Sequence, residues 1–227
     1  MTPRAFPCFT SIAEHGLLVE FGDRFTPAIT ARVRALDHAL TAAPFPGYLE
    51  AVPAYVSLLI RFDPLVTDHA AAEAAARHLL DRADLPARTP QRHEISVCYD
   101  PDLAPDLDSV ASLTGLSTDA VIAAHLAGHY EVVMYGFAPG YAYLSGVPEP
   151  LHLPRKASAV RGVAAGSVLI AGPQCLVSTL TMPTGWWVIG RSPARILTGD
   201  SVRPFLFDVG DHLRFTRIHR AAYEAQA

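Results

Sequence analysis

The second half of the chain most constrains its fold. Four short apolar runs, EVVMY (131–135), SVLIA (167–171), WWVIG (186–190) and HLRFTRI (212–218), are separated by Gly- and Pro-containing turns. Each run suits a strand and none is long enough for a core helix, so their number and spacing predict an all-β barrel. Two helices are expected before it, one over Leu107–Leu113 and one over Thr118–His125 with Thr118 as its cap.

The first half reads differently. Residues 5–12 and 17–21 form strand candidates around the turn Glu14-His15-Gly16. Thr26 and Pro27 then supply an N-cap and a first helical residue, and Ile29, Val33, Leu36 and Leu40 mark one apolar helix face. Two further strands around Pro53 and an alanine-rich helix from Asp68 to about Asp84 complete the order β-β-α-β-β-α. That order predicts an α+β domain with two layers, helices on one face of an antiparallel sheet. If the first strand is discounted and ISVCY (95–99) is counted, the order becomes ferredoxin-like. The polar, proline-containing stretch RADLPARTPQR reads as a linker, giving domains 1–86 and 87–227.

Charge and cysteine content narrow the function. Twenty-two acidic against eighteen basic residues, a net −4 without blocks of one sign, argue against general binding to nucleic acid or membrane. Between Glu149 and Asp200, however, Arg155, Lys156, Arg161, Arg191 and Arg195 face only those two acids, a local excess suited to an anionic group. Cys8, Cys98 and Cys175 form no CxxC pair, so neither a disulfide framework nor a structural zinc is expected. With no membrane-length run and no signal-like N-terminus, the chain is expected to be cytoplasmic.

Several chemistries lack their signatures. Lys156 is the only lysine and is followed by Ala157, so there is no GxxxxGK[ST] phosphate loop; no GxSxG elbow occurs either. His125 and His129 share a helical spacing but lack the glutamate of a zinc-protease helix, so no metal is expected. Cys175 reads as a packing cysteine first and a reactive thiol second.

The stretch YGFAPGYAYLSGVP (135–148) breaks a strand into a loop where Gly136, Gly140 and Gly146 allow positive φ, while Pro139 fixes its own φ and donates no hydrogen bond. Phe137, Tyr141 and Tyr143 then stand on a backbone held by turns, either lining a concave site or covering core.

The blocks GFAPGYAYLSGVP, LPRK, GVAAGSVLIAG, PTGWWVIGRSP, GDSVRP and HLRFTRI, with HGLLVEFGD, ARVRALDHAL and EAVPAYVSLLIRFDP before them, resemble the family of 5-oxoprolinase B-type subunits. That carboxyltransferase-type family also holds the inhibitor of a sporulation histidine kinase and proteins called allophanate hydrolase subunit 1. The resemblance implies a small α/β domain followed by a cyclophilin-like barrel. It further implies work beside a homologous C-type subunit and a further A-type subunit, in a complex that uses ATP to open the lactam of 5-oxoproline to glutamate. Inhibition of a histidine kinase and a part in urea or allophanate breakdown are the alternatives.

Within the expected pocket, Arg155 and Arg191 are the cationic candidates for a small anionic substrate. Tyr141, Tyr143 and Trp186 would supply walls, with Phe137, Pro139 and Gly140 in the same loop. Gln174 would offer a neutral polar contact, and His125 is a weak candidate for proton acceptor. Three segments depart from the family pattern. PRKASAVR puts Val160 at an arginine position, QCLVST replaces QTGxYP, and PTGW puts Thr184 at a glycine position.

Overall fold

The computed structural model describes residues 5–82 and 88–227, which form two compact units, one ending at Thr89 and one beginning at Pro90. Residues 83–87 of the expected linker, and with them the end of the second helix expected at Asp84, lie outside the described residues.

In the first unit the strands are β1 (Cys8–Ile12), β2 (Gly16–Glu20), β3 (Tyr48–Pro53) and β4 (Ser57–Phe62), with helices α1 (Pro27–Ala42) and α2 (His69–Leu80). The sheet runs β1-β2-β4-β3 and every pairing is antiparallel. Alternation sends Leu17, Val19, Leu58 and Ile60 to one face, where they pack against Val33, Leu36 and Leu40 of α1 and Ala72, Ala76 and Leu79 of α2. Thr26 Oγ1 accepts from Ile29 N at 3.2 Å and Asp68 Oδ1 accepts from Ala71 N at 2.8 Å, so both helices begin at side-chain caps.

The ferredoxin-like alternative is overturned. β1 pairs with β2 along its whole length, and Ile95, Ser96 and Val97 of the ISVCY segment belong to β5 (Arg92–Val97) in the second unit.

The second unit continues with α3 (Leu107–Thr114), α4 (Thr118–Ala127), β6 (Tyr130–Tyr135), β7 (Ala142–Ser145), β8 (Val160–Val163) and β9 (Ser167–Ala171). It ends with β10 (Gln174–Val177), β11 (Met182–Thr184), β12 (Trp187–Arg191), β13 (His212–Arg217) and the short α5 (Arg220–Glu224). Ser117, not Thr118, caps α4: its backbone is extended and its hydroxyl accepts from Ala120 N at 3.2 Å, whereas Thr118 is already helical. No single helix among the described residues is long and apolar enough to cross a membrane.

Seven strands form one sheet in the order β12-β9-β10-β7-β6-β13-β5. Its two edges meet where Cys98 N donates to Arg191 O at 2.8 Å and Arg191 N to Cys98 O at 2.9 Å, so the sheet is nearly closed and barrel-like. Gly190 sits at that seam because a Cβ there would lie 2.7 Å from Val97 Cγ1 and 3.1 Å from Cys98 O.

All five residues of β9 are buried, unusual for a strand with a solvated side. Val168 and Ile170 face the main core inside the barrel. Leu169 and Ala171 face a second, outer cluster with Tyr141, Leu176, Trp186 and Val188. That outer cluster, beside the two-stranded sheet of β8 and β11, is the floor of the site described next.

Candidate functional site

The loop 136–141 joins β6 to β7 and is a compact hydrogen-bonded turn. Gly136 N donates to Tyr141 O at 3.2 Å, Tyr141 N to Ala138 O at 3.1 Å, and Ala138 N to Gly136 O at 2.9 Å. The last bond spans two residues and brackets Phe137, whose φ is +72°, making a γ-turn of the rarer and strained hand. A bulky aromatic in that region of backbone space is an outlier. Phe137 is also 76% exposed, so core packing does not explain it. Gly140, at φ +71°, holds a backbone conformation that side-chain-bearing residues rarely adopt.

Phe137, Tyr141, Tyr143, Arg155, Thr184 and Trp186 line a cleft of about 110 Å³, with Leu176, Pro183 and Gly185 between them. The rings meet in series: Phe137 and Tyr141 with centroids 5.6 Å apart, Tyr141 and Tyr143 at 6.4 Å, Tyr143 and Trp186 at 5.9 Å. The Arg155 guanidinium lies 5.6 Å from the Trp186 ring centroid. Burial, helped by the nearby Tyr143, pushes the Tyr141 hydroxyl up to about 12, so it remains a proton donor near neutral pH. Among the described residues Arg155 has no ion pair, and neither Glu149 nor Asp200 neutralises it. The cleft therefore offers an uncompensated cation, a hydroxyl donor and apolar walls, in a volume of about four waters. That suits the carboxylate end of a small ligand.

Arg155 is placed by its neighbours. Lys156 N donates to Gly185 O at 2.7 Å, Lys156 Nζ donates to Asp106 Oδ2, and Trp187 Nε1 donates to Pro154 O at 2.8 Å. Trp186 and Trp187 point opposite ways, Trp186 into the outer cluster and Trp187 against the barrel core.

The departures from the family pattern have structural uses that composition did not signal. Thr184 Oγ1 accepts from Trp186 N at 3.1 Å, closing the turn that presents the indole. Thr179 Oγ1 donates to Pro139 O at 2.7 Å, tying the aromatic loop to the strand end beside it. Ser178 Oγ accepts from Ser167 N at 3.0 Å and donates to Ala164 O at 2.9 Å.

Other expected site residues lie elsewhere. Pro139 and Gly140 shape the loop without lining the cleft. Gln174 opens β10, paired with Ser145 and Ala171, and does not reach the cleft either. Arg191 sits on the barrel seam, its Nε buried with no hydrogen-bond partner among the described residues.

His125 is in the barrel core at 0% exposure, stacked on Phe215 at 4.6 Å, with Nδ1 2.7 Å from Tyr99 Oη and Nε2 3.8 Å from Cys175 Sγ. Burial holds its pKa down at about 3 and pushes the Cys175 thiol far up, so this pair is neutral and closed to solvent. Neither group reaches a substrate in this arrangement. Among the described residues no cluster of histidine, cysteine or carboxylate side chains could hold a metal ion.

Comparison with known proteins agrees with this architecture. The family described as carboxyltransferase domain, subdomain C and D, matches residues 7–207, and the chain belongs to that family. The B-type subunit of the Bacillus subtilis 5-oxoprolinase is 33% identical over 225 residues, covering 94% of each chain. The crystal structure of TTHA0988 superposes with a TM-score of 0.80 at 35% identity, over 90% of this chain but only 40% of that one. The Kluyveromyces lactis urea carboxylase shares the fold at 17% identity with a TM-score of 0.71, over 93% of this chain and 22% of its own.

Proposed function

We propose that the chain is the B-type component of a heteromeric, ATP-dependent 5-oxoprolinase, and that its cleft takes the carboxylate of 5-oxoproline while the lactam C–N bond is opened to give glutamate. The observation that carries this reading is the unpaired Arg155 guanidinium over Trp186, in a chain 33% identical to a B-type 5-oxoprolinase subunit along nearly its full length. The first unit is then a two-layer α+β domain and the second a cyclophilin-like barrel.

The chain's part in the reaction is to bind and orient. Arg155 holds the anionic end and the aromatic walls exclude water from the ring; the Tyr141 hydroxyl donates a hydrogen bond. A cleft of about 110 Å³ encloses only part of such a substrate, so the remaining wall and the reacting groups come from partners, a homologous C-type subunit and an A-type subunit. ATP is used by that assembly, whose setting is the cytoplasm. The buried, neutral His125 and Cys175 support a passive chemical role for this chain on its own.

Purified alone, the chain should neither hydrolyse ATP nor release glutamate from 5-oxoproline. Combined with its C-type and A-type partners it should do both, in equal amounts. An assembled complex with no 5-oxoproline-dependent ATP hydrolysis would sink the assignment.

A further inference from the structure

The second unit holds a larger cavity, of about 590 Å³, away from the aromatic cleft. One wall is made where β5 and β13 begin side by side. They run parallel in a register that sets His212 beside Arg92 and Arg214 beside Glu94. The two-residue period turns Arg92, His212 and Arg214 outward while Ile95, Leu213 and Phe215 enter the core. The facing wall is the end of α4 and the turn Gly128-His129. Gly128 is required there, since a Cβ would lie 2.6 Å from the Tyr130 ring.

The charge of this lining is one-sided. Arg92 and Arg214 supply its charge, with the His129 and His212 imidazoles beside them; among the described residues no carboxylate lines it, and Glu131, opposite His212 in the register, lies outside the lining. Asp211, the nearest buried acid, is already committed: it accepts from Gln91 N, Asp208 N and His93 Nε2, each at 2.9 Å. Glu94 stands opposite Arg214 in the register, yet among the described residues neither the Arg92 nor the Arg214 side chain makes a hydrogen bond or ion pair. Two uncompensated guanidinium groups in a concave site focus a positive potential that an anion would relieve.

We infer that this cavity binds the phosphate group of a phosphorylated small molecule, with Arg92 and Arg214 on one side and the His129 and His212 imidazoles completing the shell. A carboxylate presents two oxygens in one plane, and one guanidinium satisfies it. Donors arranged on two facing walls instead match the tetrahedral oxygens of a phosphate, and the cavity has room for the rest of the molecule.

Isothermal titration of the full chain with pyrophosphate tests this, with succinate as the carboxylate arm. Pyrophosphate should bind, and the pair Arg92→Lys and Arg214→Lys, which keeps charge and fold but loses the paired donors, should weaken it about tenfold or more. Arg92→Ala with Arg214→Ala should abolish binding at unchanged melting temperature, because both side chains are exposed. Arg155→Ala should leave it unchanged. Absence of pyrophosphate binding, equal affinity for succinate, full affinity in the lysine pair, or loss on Arg155→Ala would each overturn the assignment.

Discussion

Lys156 and Asp106 form a largely buried ion pair, their side chains 12% and 17% exposed, and Asp106 Oδ2 also accepts from Val188 N at 2.7 Å. One carboxylate thereby ties the segment carrying Arg155 to the start of α3 and to β12. Lys156→Met leaves that carboxylate buried with a single partner. It should cost ~1–3 kcal/mol, a fall of roughly 3–10 °C in melting temperature. If the pair positions Arg155, the KM for 5-oxoproline should rise in the assembled enzyme while kcat changes little; an unchanged KM would make the pair purely structural.

The strain at Phe137 separates stability from function. Phe137→Gly and Phe137→Ala both remove the ring from the cleft, but only glycine accepts φ +72° freely. The glycine variant should therefore be more stable than the alanine variant by ~1 kcal/mol. Both should bind ligand more weakly than the parent chain. Equal melting temperatures, or undiminished affinity in either, would show that the turn carries no functional strain.

The sequence already placed Phe137, Tyr141, Tyr143, Arg155 and Trp186 together, because a turn-locked loop, a cationic stretch and a tryptophan pair each carry local signals. It could not place Arg191 or Gln174, whose positions depend on barrel closure and strand pairing between distant segments. His125 escapes a sequence reading for a related reason: a histidine at a helix end looks accessible until Tyr99, Tyr130 and Phe215, all far from it or beyond its helix, enclose it. The strands and caps of the first unit were legible because period and capping are local. The roles of Thr179 and Thr184 were not, since each depends on a hydrogen bond to a loop or turn that only the fold brings near.

Burial of neutral His125 makes stability depend on pH. Its folded pKa of about 3 lies below the ordinary 6.5, so between those values the unfolded chain binds a proton that the native chain does not. Stability from this group is intact above pH 6.5 and falls as the pH drops toward 3, by several kcal/mol at most, on the order of 3–5. Urea denaturation of His125→Gln between pH 6.5 and 3.5 should show a shallower dependence, by up to one proton. An identical slope would place the titration elsewhere.

The thiols should differ in reactivity. Cys8 is half-buried, whereas Cys98 and Cys175 are fully buried, and burial pushes both of these thiols up. Iodoacetamide on the native chain should label Cys8 and spare Cys175, read by peptide mass spectrometry, and Cys175→Ala should keep turnover in the assembled enzyme within about twofold. Rapid labelling of Cys175 would contradict the closed core around His125.

In the proposed reaction Arg155 holds the substrate's carboxylate in the aromatic cleft. The 5-oxoproline dependence of ATP hydrolysis in the complex assembled with the C-type and A-type partners reads out that contact when the parent chain is compared with Arg155→Ala. In the variant kcat/KM should fall by about 10²-fold, as expected for loss of ~3 kcal/mol from a charge-assisted contact, with the complex still assembled. Unchanged kcat/KM for the variant would contradict it.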